Sequence, residues 1–245
     1  MFALIDISKF TTAAVLAGSI ALTGCSSTAS SSNNSPDGKV VEKKQEVKTE
    51  VEQVSLKDER SRAHVTRSGE VYLMRGLLDV FSRGMDTLAG RMRAKGFDAI
   101  SYNHSNWKPY ADDIIDRAKH KKVSYPIIIM GHSLGGNAAP QMANYLGARG
   151  IKTSLVVAFD PTEHQVVGRN VSTVINYYLP NGRNRFDKAS GFKGSLKNVN
   201  VSNIPNIEHT NVEKNTGLQD KSIARAVKLS KPIKKRSASK RKKSR

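Results

Sequence analysis

The chain has 245 residues, a formal net charge of +19 and 38% hydrophobic residues. This length is sufficient for one catalytic domain with additional tails, and the low apolar content predicts polar segments around a compact core. The single cysteine, Cys25, excludes an intrachain disulfide and any metal site built from several cysteines. The sequence contains no phosphate-binding loop and no dinucleotide fingerprint, so we expect neither a metal nor a cofactor.

Residues 1–24 have the features of a processing signal. An apolar run at 10–22 follows Lys9 and is too short for an ordinary membrane-spanning helix. It ends in Leu22-Thr23-Gly24-Cys25, which resembles the lipobox of bacterial lipoproteins. The resemblance implies a signal peptide at 1–24 and a lipid on Cys25 that anchors the chain to a membrane. An uncleaved anchor, or an ordinary signal peptide with an incidental cysteine, is the alternative.

The residue after Cys25 gives an expectation about location. Ser26, rather than Asp, follows the cysteine. By the resemblance to Gram-negative lipoproteins, this implies a cell-envelope location at the outer membrane, facing the periplasm. Residues 25–67 are rich in Ser, Asn and mixed charges without an apolar period, which predicts a flexible linker.

Residues 68–229 alternate between strand and helix patterns, which predicts an α/β fold. We expect a mostly parallel sheet of about six strands flanked by helices, and the continuous Ile run at 127–129 is typical of a strand buried on both faces. The predicted strands are 70–75, 98–102, 125–130, 153–159, 171–179 and 199–204. The predicted helices are 83–95, 109–122, 137–149 and 211–229.

A Gly-x-Ser-x-Gly motif lies between the predicted third strand and the helix that follows it. Its residues are Gly131-His132-Ser133-Leu134-Gly135. A serine on such a sharp turn is held in strained backbone geometry with its hydroxyl exposed. The following helix directs free N–H groups toward the position where negative charge would develop. The pattern therefore predicts that Ser133 is a nucleophile.

The motif in this setting resembles that of the α/β-hydrolase family, and the run Gly-His-Ser-Leu-Gly-Gly is similar to that of lipases and acyl thioesterases. The resemblance covers about residues 70 to 228. It implies acyl transfer through a serine, a histidine base and a carboxylate that orients the base. It also implies the chain order serine, acid, histidine.

His209 is our candidate for the base because it follows the last predicted strand and precedes the last predicted helix. Histidine suits proton transfer because its pKa lies near neutrality. The side chain of His132 lies within the turn and is expected to pack beside it. His164 remains a minor competitor because of its proximity to Asp160.

Asp160 is our candidate for the acid. It ends the strand that follows the nucleophile helix, and strand ends at this edge of a parallel sheet converge on one crevice. Acyl thioesterases, which this chain resembles, often place the acid there. The alternative is Asp187, in a loop after the next strand. Glu208 is too close in sequence to His209 to align with its ring easily.

The resemblance also implies an oxyanion hole. We expect the backbone N–H of Leu134 as one donor and that of Leu77, in the loop after the first strand, as the second. This loop departs from the His-Gly-Gly-Gly sequence of many lipases. Arg75 and Arg83 either face the site or form surface salt bridges.

The substrate expected from these features is a carboxylic ester or a thioester. The short segment between 159 and 171 leaves no room for a long lid, which favours a small or exposed ester. The expected location in the cell envelope favours esters of the envelope over acyl-CoA, which is cytoplasmic. The alternative function is a non-catalytic envelope lipoprotein with a hydrolase-like fold that binds anionic polymers or lipids.

The C-terminal tail, residues 230–245, is strongly basic. Residues 221–245 contain twelve Lys or Arg and no acid. This composition predicts a disordered tail that contacts anionic lipids or polymers through counterion release. The tail has no aromatic residue on which a base would stack, which disfavours a dedicated nucleic-acid role.

Overall fold

The computed structural model of the chain describes residues 65–77 and 82–233. The predicted signal peptide at 1–24, Cys25, almost all of the linker and most of the basic tail lie outside these residues. Within the described ranges, every helix is too short or too polar to cross a lipid bilayer.

The described residues contain eight strands and four α-helices. The strands are β1 (Glu70–Arg75), β2 (Asp98–Asn103), β3 (Ile127–His132), β4 (Thr153–Phe159), β5 (Gln165–Val167), β6 (Thr173–Tyr178), β7 (Phe186–Lys188) and β8 (Ser195–Asn200). The helices are α1 (Gly84–Ala94), α2 (Trp107–Lys119), α3 (Leu134–Gly147) and α4 (Thr216–Leu229). Short 3-10 helices lie at His104–Asn106 and Val212–Lys214.

Six strands form one parallel sheet in the order β2-β1-β3-β4-β6-β8. Parallel neighbours require crossover connections, and helices supply most of them here. The prediction of an α/β fold with a parallel sheet of about six strands and flanking helices is therefore confirmed. An isolated bridge between Arg67 and Pro232 joins the two ends of the described fold.

The core has one layer on each face of the sheet. Strand β3 contributes side chains to both layers. Ile127 and Ile129 pack with α2 and α3, whereas Ile128 and Met130 pack with α1 and α4. All four side chains are fully buried. A strand that is covered on both faces has no polar face, which accounts for its unbroken apolar run.

Two predictions about the later elements are wrong in detail. The strand predicted at 199–204 is β8 at Ser195–Asn200, whose polar, half-exposed sequence reflects its position at the sheet edge beside β6 alone. The helix predicted at 211–229 is divided into a 3-10 turn and α4. The Asn215 side chain causes this division by capping α4, where it accepts a hydrogen bond from the N–H of Leu218.

A second, two-stranded parallel sheet was not predicted from the sequence. It pairs β5 with β7, and each of these strands has three residues. Segments this short show no measurable apolar alternation, so periodicity does not reveal them. They belong to the segments that follow β4 and β6, and they therefore shape the edge of the sheet where Ser133 lies.

Candidate active site

Ser133 occupies a strained turn between β3 and α3. Its backbone angles are φ 57° and ψ −121°, a conformation that residues with a side chain rarely adopt. The flanking glycines permit this turn: a Cβ at Gly131 would lie 2.0 Å from the carbonyl oxygen of Gly135. A Cβ at Gly135 would lie 2.3 Å from the carbonyl oxygen of Met74. The motif is therefore required by close backbone packing.

The structure brings Ser133, His209 and Asp160 together in one hydrogen-bonded chain. Nε2 of His209 is 3.0 Å from Oγ of Ser133. Nδ1 of His209 is 2.7 Å from Oδ2 of Asp160. The residues come from the carboxyl ends of β3 and β4 and from the segment after β8, which meet at one edge of the parallel sheet.

Asp160 is fixed by contacts to both of its oxygens. Oδ2 accepts from His209, while Oδ1 accepts from the backbone N–H of Leu179 at 2.8 Å and from Nδ2 of Asn184 at 2.9 Å. The residue is 4% exposed. These donors hold the carboxyl group in one orientation and determine which oxygen faces the imidazole.

The environment of His209 favours its protonated form. The hydrogen bond to Asp160 raises the pKa of His209 above its ordinary value of 6.5, while partial burial opposes this shift. The ring is 44% exposed at the surface of the site. With Nδ1–H donated to the carboxylate, Nε2 of the neutral ring is free to accept the proton of the Ser133 hydroxyl.

His132 links the loop of His209 to the loop after β1. Its Nε2 is 2.7 Å from the carbonyl oxygen of His209, which only accepts, so Nε2 carries the proton. Burial lowers the pKa of His132 to about 4, so the ring is neutral at physiological pH and Nδ1 accepts from Oγ of Ser82 at 2.8 Å. Oγ of Ser82 in turn accepts from the N–H of Gly76 at 2.9 Å.

Glu213 is a buried carboxyl group close to both histidines. Its side chain is fully buried, and no side-chain donor within the described ranges forms a hydrogen bond to either oxygen. Oε2 is 3.7 Å from Nε2 of His132, and Oε1 is 4.0 Å from Nζ of Lys214. Burial raises the pKa of Glu213 above its ordinary value of 4.5. Sequence reasoning did not identify this group, because nothing near it in the chain marks it as buried.

The two alternative candidates contact each other. Nε2 of His164 is 2.9 Å from Oδ2 of Asp187, and both side chains are exposed. His164 and Asp187 therefore pair with each other. The hydrogen bonds to Ser133 and to His209 are formed by His209 and by Asp160 instead.

Arg75 and Arg83 pair with the same carboxylate. Nη1 of Arg75 lies 2.7 Å from Asp86, and Nη1 of Arg83 lies 3.4 Å from it. The sequence left open whether these arginines face the site or form salt bridges, and the structure shows that both form salt bridges.

The oxyanion donors remain a prediction. Leu134 is the first residue of α3, where a backbone N–H has no partner within the helix. Leu77 is exposed and lies two residues after the end of β1. The N–H of Gly76 already donates to Ser82, so Gly76 is not the second donor, and Leu77 stays the predicted one. A Cβ at Gly76 would lie 2.9 Å from Cβ of Ser133, so this loop directly adjoins the nucleophile.

Comparisons with known proteins add little to this geometry. No family model matches the chain, and no curated protein matches it. Among solved structures, the chain is similar to a crystal structure from Xanthomonas campestris pv. campestris described as a candidate hydrolase of the alpha/beta superfamily. The identity is 10%, the TM-score is 0.36, and the alignment covers 66% of this chain and 98% of the other. A TM-score this low is not grounds for assigning a shared activity or shared site residues.

Proposed function

We propose that the protein is a serine hydrolase that cleaves carboxylic esters or thioesters through an acyl-enzyme. The observation that supports this proposal is the hydrogen-bonded chain from Ser133 through His209 to Asp160. A serine hydroxyl is a weak nucleophile until a base removes its proton, and this chain supplies both a base and a group that orients it.

The proposed reaction proceeds in two halves. Oγ of Ser133 attacks the carbonyl carbon while Nε2 of His209 takes the hydroxyl proton, and the carbonyl oxygen becomes an oxyanion near the N–H groups of Leu134 and Leu77. The imidazolium returns its proton to the alcohol or thiol as it leaves, which forms the acyl-enzyme. Water then attacks the acyl carbon with His209 again as base, the bond to Oγ breaks, and the imidazolium returns its proton to Oγ of Ser133 as the carboxylic acid is released. Asp160 stabilises the imidazolium throughout without taking its proton.

We further propose that the enzyme acts on esters of the cell envelope while anchored through a lipid on Cys25. The support is the lipobox-like run and the basic tail, both in the sequence alone. Radiolabelled palmitate should enter the wild-type protein and be lost in Cys25→Ser. Labelling that persists in Cys25→Ser would contradict the anchor but not the hydrolase.

Hydrolysis of a short p-nitrophenyl ester tests the proposed reaction. Ser133→Ala should lower kcat/KM by about 10⁶-fold, since removal of a triad serine abolishes the acyl-enzyme route. Ser202→Ala is the matched control, because Ser202 is exposed and outside the site, and should leave the rate unchanged. A wild-type protein without esterase activity would favour the alternative of a non-catalytic envelope lipoprotein.

A further inference from the structure

A cavity of about 400 Å³ lies between two segments that are hydrogen-bonded to the nucleophile helix and to Asp160. It is lined by Glu163, His164, Gly182, Arg183 and Arg185. Its walls are the segments that follow β4 and β6, and both segments leave the carboxyl edge of the sheet, where Ser133 lies. The cavity is therefore on the side of the fold where a substrate would approach the nucleophile.

One wall is anchored to the nucleophile helix. Asn137 lies one turn after Ser133 in α3, and its side chain is buried. Its Oδ1 accepts from the N–H groups of Thr162 and Glu163, at 3.0 and 3.2 Å, while Nδ2 donates to Oγ1 of Thr162 at 2.7 Å. These bonds fix the backbone of Glu163 relative to Ser133.

The other wall is anchored to the proposed acid. Asn184 is 1% exposed, and its Nδ2 donates to Oδ1 of Asp160 at 2.9 Å and to the carbonyl oxygen of Leu179 at 2.6 Å. Arg183 and Arg185, on either side of the buried Asn184, are both exposed, and both line the cavity.

The two guanidinium groups have no ion pair and no hydrogen bond with any of the described residues. The neighbouring His164 is already paired with Asp187, and Glu163 contributes one carboxylate to the wall. Guanidinium presents a planar fork of N–H donors that matches a carboxylate or a phosphate. These two cations outnumber the one carboxylate among the residues that line the cavity, which favours an anionic ligand there.

We propose that this cavity is a substrate subsite for a carboxylate or phosphate group, so that the preferred esters are anionic. The inference rests on the proposed hydrolase function and narrows its substrate class. Arg183 and Arg185 bind the anion and thereby position the ester at Ser133. Glu163 opposes this binding through its own negative charge.

Two esters with acyl chains of equal length test the subsite: mono-p-nitrophenyl adipate, which ends in a carboxylate, and p-nitrophenyl hexanoate, which ends in a methyl group. Wild type should have the lower KM for the adipate ester. The double variant Arg183→Gln/Arg185→Gln should raise that KM about tenfold or more and leave the KM for the hexanoate ester unchanged. Glu163→Gln should lower the KM for the adipate ester, which is the opposite direction.

Arg169→Gln provides the matched control. Arg169 is exposed, and the side chain of its neighbour Asn170 donates to the carbonyl oxygen of Gly147, at the end of α3 remote from Ser133. This variant should leave both KM values unchanged. Inhibition of hexanoate hydrolysis by free adipate and by inorganic phosphate distinguishes the two anions, since the preferred one should inhibit more strongly.

Different outcomes separate the two proposals. Suppose that both esters are hydrolysed, but the double arginine variant alters neither the KM for the adipate ester nor the inhibition by either anion. The proposed subsite is then contradicted, whereas the proposed hydrolase function is not. If wild type hydrolyses neither ester, the proposed hydrolase function is contradicted, and so is the subsite that depends on it.

Discussion

His209 is the residue on which the proposed chemistry depends, because its two ring nitrogens contact two different partners. Nδ1 faces a carboxylate, which favours the imidazolium, and Nε2 faces a hydroxyl that has a proton to donate. Base catalysis requires the neutral ring, whereas stabilisation of the transition state requires that the ring accept a proton readily. A pKa moderately above the ordinary value serves both requirements near neutral pH.

The pKa of His209 gives a prediction with a definite sign. Because Asp160 raises this pKa above 6.5, kcat/KM should rise with pH through that pKa and then level off as the ring becomes neutral. Asp160→Asn removes the main cause of the shift, so the midpoint for the His209 ring in an NMR titration should move down. A wild-type midpoint below 6.5, or one that is insensitive to Asp160→Asn, would contradict the described hydrogen bond.

Glu213 should make the free energy of unfolding depend on pH. The unfolded carboxyl ionises near 4.5, whereas the folded one retains its proton, so above that pH the folded state binds more protons. The free energy of unfolding contributed by this group therefore falls as pH rises, until the folded pKa is passed. The neighbouring charges are Lys214 and, when protonated, His209, while His132 is neutral over this range.

Replacement of Glu213 by glutamine isolates this effect. The Tm difference between Glu213→Gln and wild type should increase in favour of the variant as pH rises from about 4.5 toward neutrality. Glu208→Gln is the matched control, because it makes the same substitution at an exposed glutamate of the same segment. A Tm difference for Glu213→Gln that is constant across this range would show that the carboxyl titrates normally.

At the scale of elements, the junction of β3 and α3 combines close backbone packing with the strained turn. Gly135→Ala should lower the free energy of unfolding by about 2 kcal/mol or more, because the added Cβ would lie 2.3 Å from the carbonyl oxygen of Met74. Gly90→Ala is the matched change in α1, where the nearest atom lies 3.8 Å from the added Cβ. It should raise that free energy by about 0.5–1 kcal/mol, since alanine favours helix.

Urea denaturation measures both changes on the same scale. If Gly135→Ala lowers the free energy of unfolding no more than Gly90→Ala does, the described close approach between the start of α3 and the end of β1 is contradicted. The loss in Gly135→Ala should be accompanied by loss of ester hydrolysis, because the same turn holds Ser133.

The sequence predicted the elements that have a long apolar signal and missed those that lack one. The continuous Ile run of β3 and the apolar face of α1 at helical spacing are both clear enough to be recognised. The three-residue strands β5 and β7 were not recognised. Strand β8 was predicted too far along the chain, because an edge strand retains polar residues on both faces. The segments containing β5 and β7 are also those that form the cavity, so the subsite was not visible in the sequence.

The residues of the candidate site could be proposed from the sequence where a local motif marks them. Ser133 lies in such a motif, and chain order then directed attention to Asp160 and His209. The contacts of His132 join residues 50 and 77 positions away in the chain, to Ser82 and His209, and no local pattern encodes them. The role of Asn184 was missed for the same reason, since it depends on a contact with a carboxylate 24 positions away.

At the scale of the whole molecule, charge is the dominant property. Residues 234–245 contain eight of the 40 Lys and Arg. Their deletion should weaken binding to vesicles that contain anionic lipid by about tenfold or more at low salt, because each basic residue near such a surface contributes about 1 kcal/mol. Co-sedimentation with vesicles measures this, and vesicles of neutral lipid are the control.

The same deletion should leave ester hydrolysis unchanged, because the described fold closes before the deleted residues. The N–H of Ile233 donates to the carbonyl oxygen of Thr66 at 2.8 Å, and the hydrogen bonds of the triad are made by residues 133, 160 and 209. Equal vesicle binding with and without residues 234–245 would contradict the proposed role of the tail.

Covalent labelling by a fluorophosphonate tests the central claim most directly, because the reagent reacts with a serine only when a base activates it. Mass spectrometry of the labelled protein should place one adduct on Ser133, with none in Ser133→Ala and a strongly reduced rate in His209→Gln. Absence of the adduct from folded wild-type protein, or its presence on another serine, would contradict a nucleophile activated by His209.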